Sequence, residues 1–187
     1  LRRLGAHVDE DSIVVGIAAR LDPVKDIPTL VRGFAEAYRR CDRLRLVIAG
    51  DGAEKESLQA LAAELGITEQ VCFAGWISGG MDNFFHALDI NTLTSLSETF
   101  PYVLTEGARH SLPTVASRVG GIPNLIDHGI HGLLFPAQDH EALGRCLTQL
   151  AENAELRKSL GEALHEKASR RFSLHCTIDT QLHIYRE

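Results

Sequence analysis

Short, nearly unbroken apolar runs rich in β-branched residues, separated by longer segments with helical spacing, constrain this sequence more than any other feature. The runs fall at 13–19, 44–49, 71–74, 89–93, 113–116 and 133–135. Few of their positions alternate with polar residues. Such strands are expected where helices cover both faces of a parallel sheet, because neither face then meets water. The intervening segments 27–40, 53–65, 80–88, 102–111 and 121–126 read as helices. The alternation predicts a doubly wound α/β domain with a parallel sheet of about six strands and helices on both faces.

The end of the sequence changes character. Segments 139–153, 155–172 and 174–186 carry helical spacing with no strand between them. They are expected to form a helical C-terminal tail that packs on the sheet edge or reaches toward another domain. The whole span 1–187 reads as one domain, with 44% hydrophobic residues to fill a core. A formal charge of −6 supplies no basic field for nucleic acid or anionic lipid. No apolar run is long enough to cross a bilayer, so membrane contact is expected to be peripheral at most. Cys41, Cys72, Cys146 and Cys176 lie far apart with no C-x-x-C pair. They read as reduced thiols of a cytoplasmic protein.

In an open parallel sheet, ligands bind beyond the carboxyl ends of the strands. The loops there are ARLDPVKD with Arg20 and Lys25, GDGAEK with Gly50 and Gly52, GWISGG, TSLSETFP, and SRVGGIP with Gly120 and Gly121. Two cations, together with backbone amides that glycine exposes, suit a diphosphate. Taken singly, each is an ordinary surface charge or turn. Glu98 and Glu106 flank the start of the helix predicted to follow Pro101. An ionised carboxylate can accept from two hydroxyls at once, as a sugar or ribose diol requires. Read without context, Glu98 is equally a helix-dipole contact and Glu106 a surface charge.

Several motifs fail. Gly50-Asp51-Gly52 lacks the third glycine of a dinucleotide fingerprint, and no Walker A loop or G-x-S-x-G elbow occurs. No metal site is expected. His128-x-x-His131 reads as a pair of solvated turn histidines, and Asp9-Glu10-Asp11 as a solvated turn on the far edge of the sheet.

The ordered blocks ARLDPVKDIPTLVRGF, LVIAGDG, VCFAGW, SLSETFPYVLTEGARHSLPTVAS, GGIPNLI and HGLLFP span nearly the whole sequence. Together they resemble the carboxy-terminal domain of family 4 retaining glycosyltransferases, whose GT-B fold sets two Rossmann-like domains face to face. Glu98 and Glu106 match that family's E-x7-E. The resemblance implies a half-enzyme that binds a nucleotide-diphosphate sugar, with no obligatory metal or other cofactor. It implies that Arg20 and Lys25 hold the diphosphate, that Glu98 contacts the donor sugar, and that Glu106 holds the ribose. The turn Thr99, Phe100, Pro101, Tyr102 and Val103 would lend backbone groups, and Trp76 and Ile77 would lie beside the base.

An amino-terminal acceptor domain is implied but absent from this chain, so the chain alone is expected not to transfer sugar. Other readings are a non-catalytic nucleotide-sugar-binding module, or a related GT-B epimerase or phosphorylase. Asp26 and Thr99 stand where the family usually has glycine, Asn124 where it often has Glu, and RHSLP where an ACGLP-like run is common. Thr99 is expected to bear on the site, since a β-branched residue resists positive φ.

Overall fold

A computed structural model describes residues 5–171. Its strands are β1 (Ile13–Ala18), β2 (Leu44–Ala49), β3 (Val71–Gly75), β4 (Ile90–Leu93), β5 (Thr114–Ser117) and β6 (Leu133–Phe135). They form one parallel sheet in the order β3-β2-β1-β4-β5-β6. The expected Rossmann-like α/β architecture is borne out. The chain builds outward from β1 through β2 and β3, then returns to lay β4 on the other side of β1. The loops after β1 and β4 flank that reversal, where ligands settle in such sheets.

Alternate positions of the central strands serve opposite faces. Val15 and Ile17 of β1, with Leu44, Leu46 and Ile48 of β2, pack with Leu30 and Phe34 of α1 (Ile27–Tyr38), Leu58 of α2 (Lys55–Glu64) and Leu147 of α6 (His140–Glu152). Val14 and Val47 face the other way, against Phe84 and Phe85 of α3 (Met81–His86). That second face continues under β4, β5 and β6, where Leu93, Ala116 and Leu134 meet Leu104, Ile122 and Leu164. These come from α4 (Tyr102–Arg109), α5 (Ile122–Leu125) and α7 (Ala154–Arg171).

Several helices are shorter than their apolar spacing implies. Gly52 and Ala53 stay outside α2 because Glu54 N–H bonds to Leu21 O, tying that turn to the loop after β1. The segment expected to be helical over 121–126 holds a single turn. Two 3-10 turns, Pro23–Lys25 and Thr68–Gln70, lie in stretches read as loop. Asp89 precedes β4, and its carboxylate accepts the Val14 amide at 2.7 Å. Of the helical tail, α6 packs on α1 and α7 on α4. The helix expected over 174–186 lies outside the described residues.

Candidate ligand-binding site

The loops after β1 and β4 are fastened together. Leu96 N–H donates to Val24 O at 2.8 Å, and the buried Thr94 hydroxyl donates to Lys25 O at 2.7 Å. This brings Lys25 Nζ to 2.6 Å from Glu98 Oε1. The Ser95 hydroxyl donates to the same oxygen at 2.7 Å, and Ser117 Oγ donates to Ser95 O at 2.6 Å. The side chains of Lys25 and Glu98 are only 20% and 11% exposed, so little water screens the pair.

The loop after β1 also reaches a small apolar pocket of about 220 Å³. Arg20, Gly50, Trp76, Ile77, Val103 and Glu106 line it, so residues from the loops after β1, β2 and β3 meet the start of α4. The Trp76 side chain is largely exposed at its mouth. The Arg20 guanidinium lies 3.0 Å from Asp22 Oδ2 and is itself largely exposed. Pockets that enclose a drug-sized ligand run to ~300–1,000 Å³, so this one suits a planar ring and its neighbour rather than a whole sugar nucleotide.

The glycines of the site do a different job from the one expected. A Cβ on Gly50 would sit 1.8 Å from Ala19 O, and one on Gly52 would sit 2.3 Å from Leu21 O. On Gly120 it would sit 1.8 Å from Glu98 O, and on Gly121 2.0 Å from Thr99 O. Neighbouring loops pass here backbone against backbone, and Gly121 N–H is taken by Glu98 O at 2.9 Å. The room glycine leaves is filled by the protein, which fixes the loops that carry Arg20 and Glu98.

The departure expected to matter also falls elsewhere. Thr99 is absent from the non-glycine residues with positive φ, whereas Asp26 (φ 47) and Ser111 (φ 54) are among them. Asp tolerates the left-handed region better than a β-branched residue does. Burial raises the Asp26 carboxyl pKa above its ordinary value, against the lowering effect of hydrogen bonds from Thr29. Phe100 and Tyr102 meet edge to face at 5.6 Å, with Tyr102 75% exposed on the first residue of α4. With Pro101 capping the helix, the amides of Tyr102 and Val103 lack intrahelical partners.

The turn histidines are structural rather than simply solvated. His128 Nδ1 accepts the Leu134 amide at 2.9 Å. His131 Nδ1 lies 3.1 Å from Asp127, whose carboxylate also holds Lys167 at 2.9 Å. Burial lowers the His131 pKa, and the Lys167 hydrogen bond lowers that of Asp127. A larger cavity of about 710 Å³ lies here, between the 123–131 segment and α7, away from the fastened loops. Asp9 sits before β1 and pairs with the Ser12 hydroxyl at 2.6 Å. Among the described residues, no group of three or more His, Cys, Asp or Glu side chains has metal-site geometry. Cys41 and Cys146 are free, and no described helix is long and apolar enough to cross a membrane.

The structure thus joins Lys25 to Glu98, and gathers Arg20, Gly50, Trp76, Ile77, Val103 and Glu106 around one pocket. Gly52, Thr99, Phe100, Pro101, Tyr102, Gly120 and Gly121 build the flanking loops without lining that pocket. Thr94, Ser95 and Ser117 went unnoticed in the sequence, where hydroxyl residues in a Ser/Thr-rich loop form no pattern.

Comparisons with known proteins identify the family of this chain. Residues 5–167 match the family model described as glycosyl transferases group 1. The D-inositol 3-phosphate glycosyltransferase of Saccharomonospora viridis is 37% identical, over 99% of this chain and 45% of that protein. The lipopolysaccharide core biosynthesis glycosyltransferase LpsE of Rhizobium meliloti is 30% identical, over 89% of this chain and 52% of its own length. The chain spans about half the length of the curated relatives it matches. Among solved structures, Anabaena Alr3699/HepE in complex with UDP superposes with a TM-score of 0.87 at 25% identity, over 98% of this chain and 50% of that one.

Proposed function

This chain belongs to the group 1 glycosyltransferases, and from that premise we propose that it is the half of such an enzyme that holds a nucleotide-diphosphate sugar. The base and ribose enter the pocket, with Trp76 and Ile77 beside the base and Glu106 accepting from the ribose hydroxyls. The diphosphate lies along the rim toward Lys25 and Arg20, assisted by the amides of Tyr102 and Val103. Glu98 accepts from hydroxyls of the donor sugar. An acceptor-binding domain in the remainder of the full-length protein completes the enzyme.

One observation carries this reading. Cations, a carboxylate pair and an apolar pocket, drawn from loops far apart in sequence, converge on the reversal point of the sheet. The complex of HepE with UDP supports a nucleotide diphosphate as the shared element. Transfer builds negative charge on the departing diphosphate, so fixed cations there lower the barrier directly. They take the part that a divalent metal plays elsewhere, and we read the reaction as metal-independent. We also read it as retaining, as the family resemblance implies, with attack from the face of the leaving group and no protein nucleophile. The free thiols at Cys41 and Cys146 suit a cytoplasmic enzyme.

Calorimetric titration of the full-length protein with UDP-, GDP- and ADP-sugars tests the reading. One of them is expected to bind, and to be consumed when acceptor is supplied, with chelator present. Failure of every sugar nucleotide to bind defeats it. Binding without transfer or hydrolysis makes this a non-catalytic module instead.

A further inference from the structure

Glu98 Oε1 receives two donors, the Lys25 ammonium at 2.6 Å and the Ser95 hydroxyl at 2.7 Å. Glu98 Oε2 receives none among the described residues, and it is not one of the buried oxygens that lack a partner, so it meets solvent. Ser95 is fully buried, and its carbonyl is held from behind by Ser117 Oγ at 2.6 Å. The loop that carries it is fastened to Lys25 by the Thr94 hydroxyl. A carboxylate held by a lone lysine can swing with that flexible side chain. One held on the same oxygen by a fixed, buried hydroxyl cannot.

We propose that Ser95 is a positioning residue: it anchors Glu98 through Oε1 so that Oε2 stays turned to the donor sugar while Lys25 is free to follow the diphosphate. This rests on the donor-site reading above. It assigns the sugar-directed aim of Glu98 to a residue that touches no ligand. Lys25 cannot serve both as the anchor of Glu98 and as a phosphate contact that shifts when the diphosphate leaves. Ser95 takes over the anchoring, and the site keeps its geometry through both states. The chemistry recognised is a vicinal or single hydroxyl of the transferred sugar, which donates to Oε2.

The experiment uses the full-length protein and the tightest-binding sugar nucleotide of the panel, compared with the same nucleoside diphosphate lacking its sugar. In Ser95→Ala, affinity for the bare diphosphate is expected to stay within about twofold, whereas the extra affinity contributed by the sugar falls about three- to tenfold, the scale of one ordinary hydrogen bond. In Glu98→Gln the sugar increment falls as well, and adding Ser95→Ala to it produces no further loss, because both act through one group. A purely structural serine would weaken both ligands alike and add its effect to that of Glu98→Gln. Either of those results overturns the proposal. Should Ser95→Ala fold poorly, Ser95→Cys, which keeps a weak donor, is expected to fall between the two, and a sugar increment equal to wild type in it would count against the idea. If the wild-type protein binds no sugar nucleotide at all, the donor-site reading itself falls, and this proposal with it.

Discussion

Lys25 Nζ lies 2.6 Å from Glu98 Oε1 although 73 positions separate the two residues, and the bond spans the reversal point of the sheet. Neither side chain is well solvated. Removing the lysine leaves a shielded carboxylate with the Ser95 hydroxyl as its remaining donor. Lys25→Met is therefore expected to destabilise the protein by about 1–3 kcal/mol, below the cost of breaking a fully buried pair. If the ammonium also stabilises the leaving diphosphate, turnover of the full-length enzyme falls by about a hundredfold or more. Urea unfolding and initial rates read the two effects separately, and unchanged turnover would sink the catalytic role.

Gly121 offers a sharper test of how the loops are held. A methyl group there meets Thr99 O at 2.0 Å, and that atom is backbone. Gly121→Ala should lose about 1–3 kcal/mol, as overpacking does, and shift the loop that bears Glu98. Gly79 has open space around the same position. Gly79→Ala is expected to stay within about 0.5 kcal/mol of wild type by the same denaturant assay.

Trp76 should behave in the opposite sense. Its side chain is 71% exposed, so Trp76→Ala leaves thermal stability nearly unchanged. Nucleotide affinity is expected to drop by about 1–3 kcal/mol if the indole stacks on the base. Calorimetry showing equal affinity would move the base elsewhere.

Asp26 links the site to pH. Burial raises its carboxyl pKa in the folded state, so the folded protein holds that proton more tightly than the unfolded chain does. The resulting penalty is absent below the ordinary carboxylate range and grows as pH rises through and beyond it. Asp26→Asn, which also accepts the left-handed conformation, should raise stability at pH 7 by a few tenths of a kcal/mol after solvent screening. The gain should shrink toward zero as pH falls below about 4. Melting curves across that range check it, and a gain that is independent of pH would point to the backbone alone.

The sheet was readable in advance because strands buried on both faces write themselves as continuous apolar runs, as IVVGIA of β1 does. Its loop clusters followed from the rule that ligands gather beyond the carboxyl ends. What escaped were features set by contacts distant in sequence. Gly120 and Gly121 look like ligand cradles until the carbonyls of Glu98 and Thr99 are found in the space above them. Thr99 looked strained because of the residue type it replaces, yet the left-handed backbone belongs to Asp26 and Ser111. Ser95 and Ser117 reveal a role only when their hydroxyls are seen to point at the Glu98 carboxylate and at the Ser95 carbonyl. The helix ends moved because turns such as Gly52–Glu54 are claimed by neighbouring loops, a claim that local spacing does not record.

Because β1 lies between β2 and β4, a growing polypeptide that emerges amino end first can assemble β1, β2 and β3 while one side of β1 still has no neighbour. Lys25, Arg20 and the glycine turn after β2 are by then in place, and the counter-charge arrives only when β4 docks. Gly120 and Gly121, which brace that incoming loop, come later still. The Lys25–Glu98 pair thus forms only after β4 docks, and an exposed strand edge is the hazard that the nascent chain carries until then.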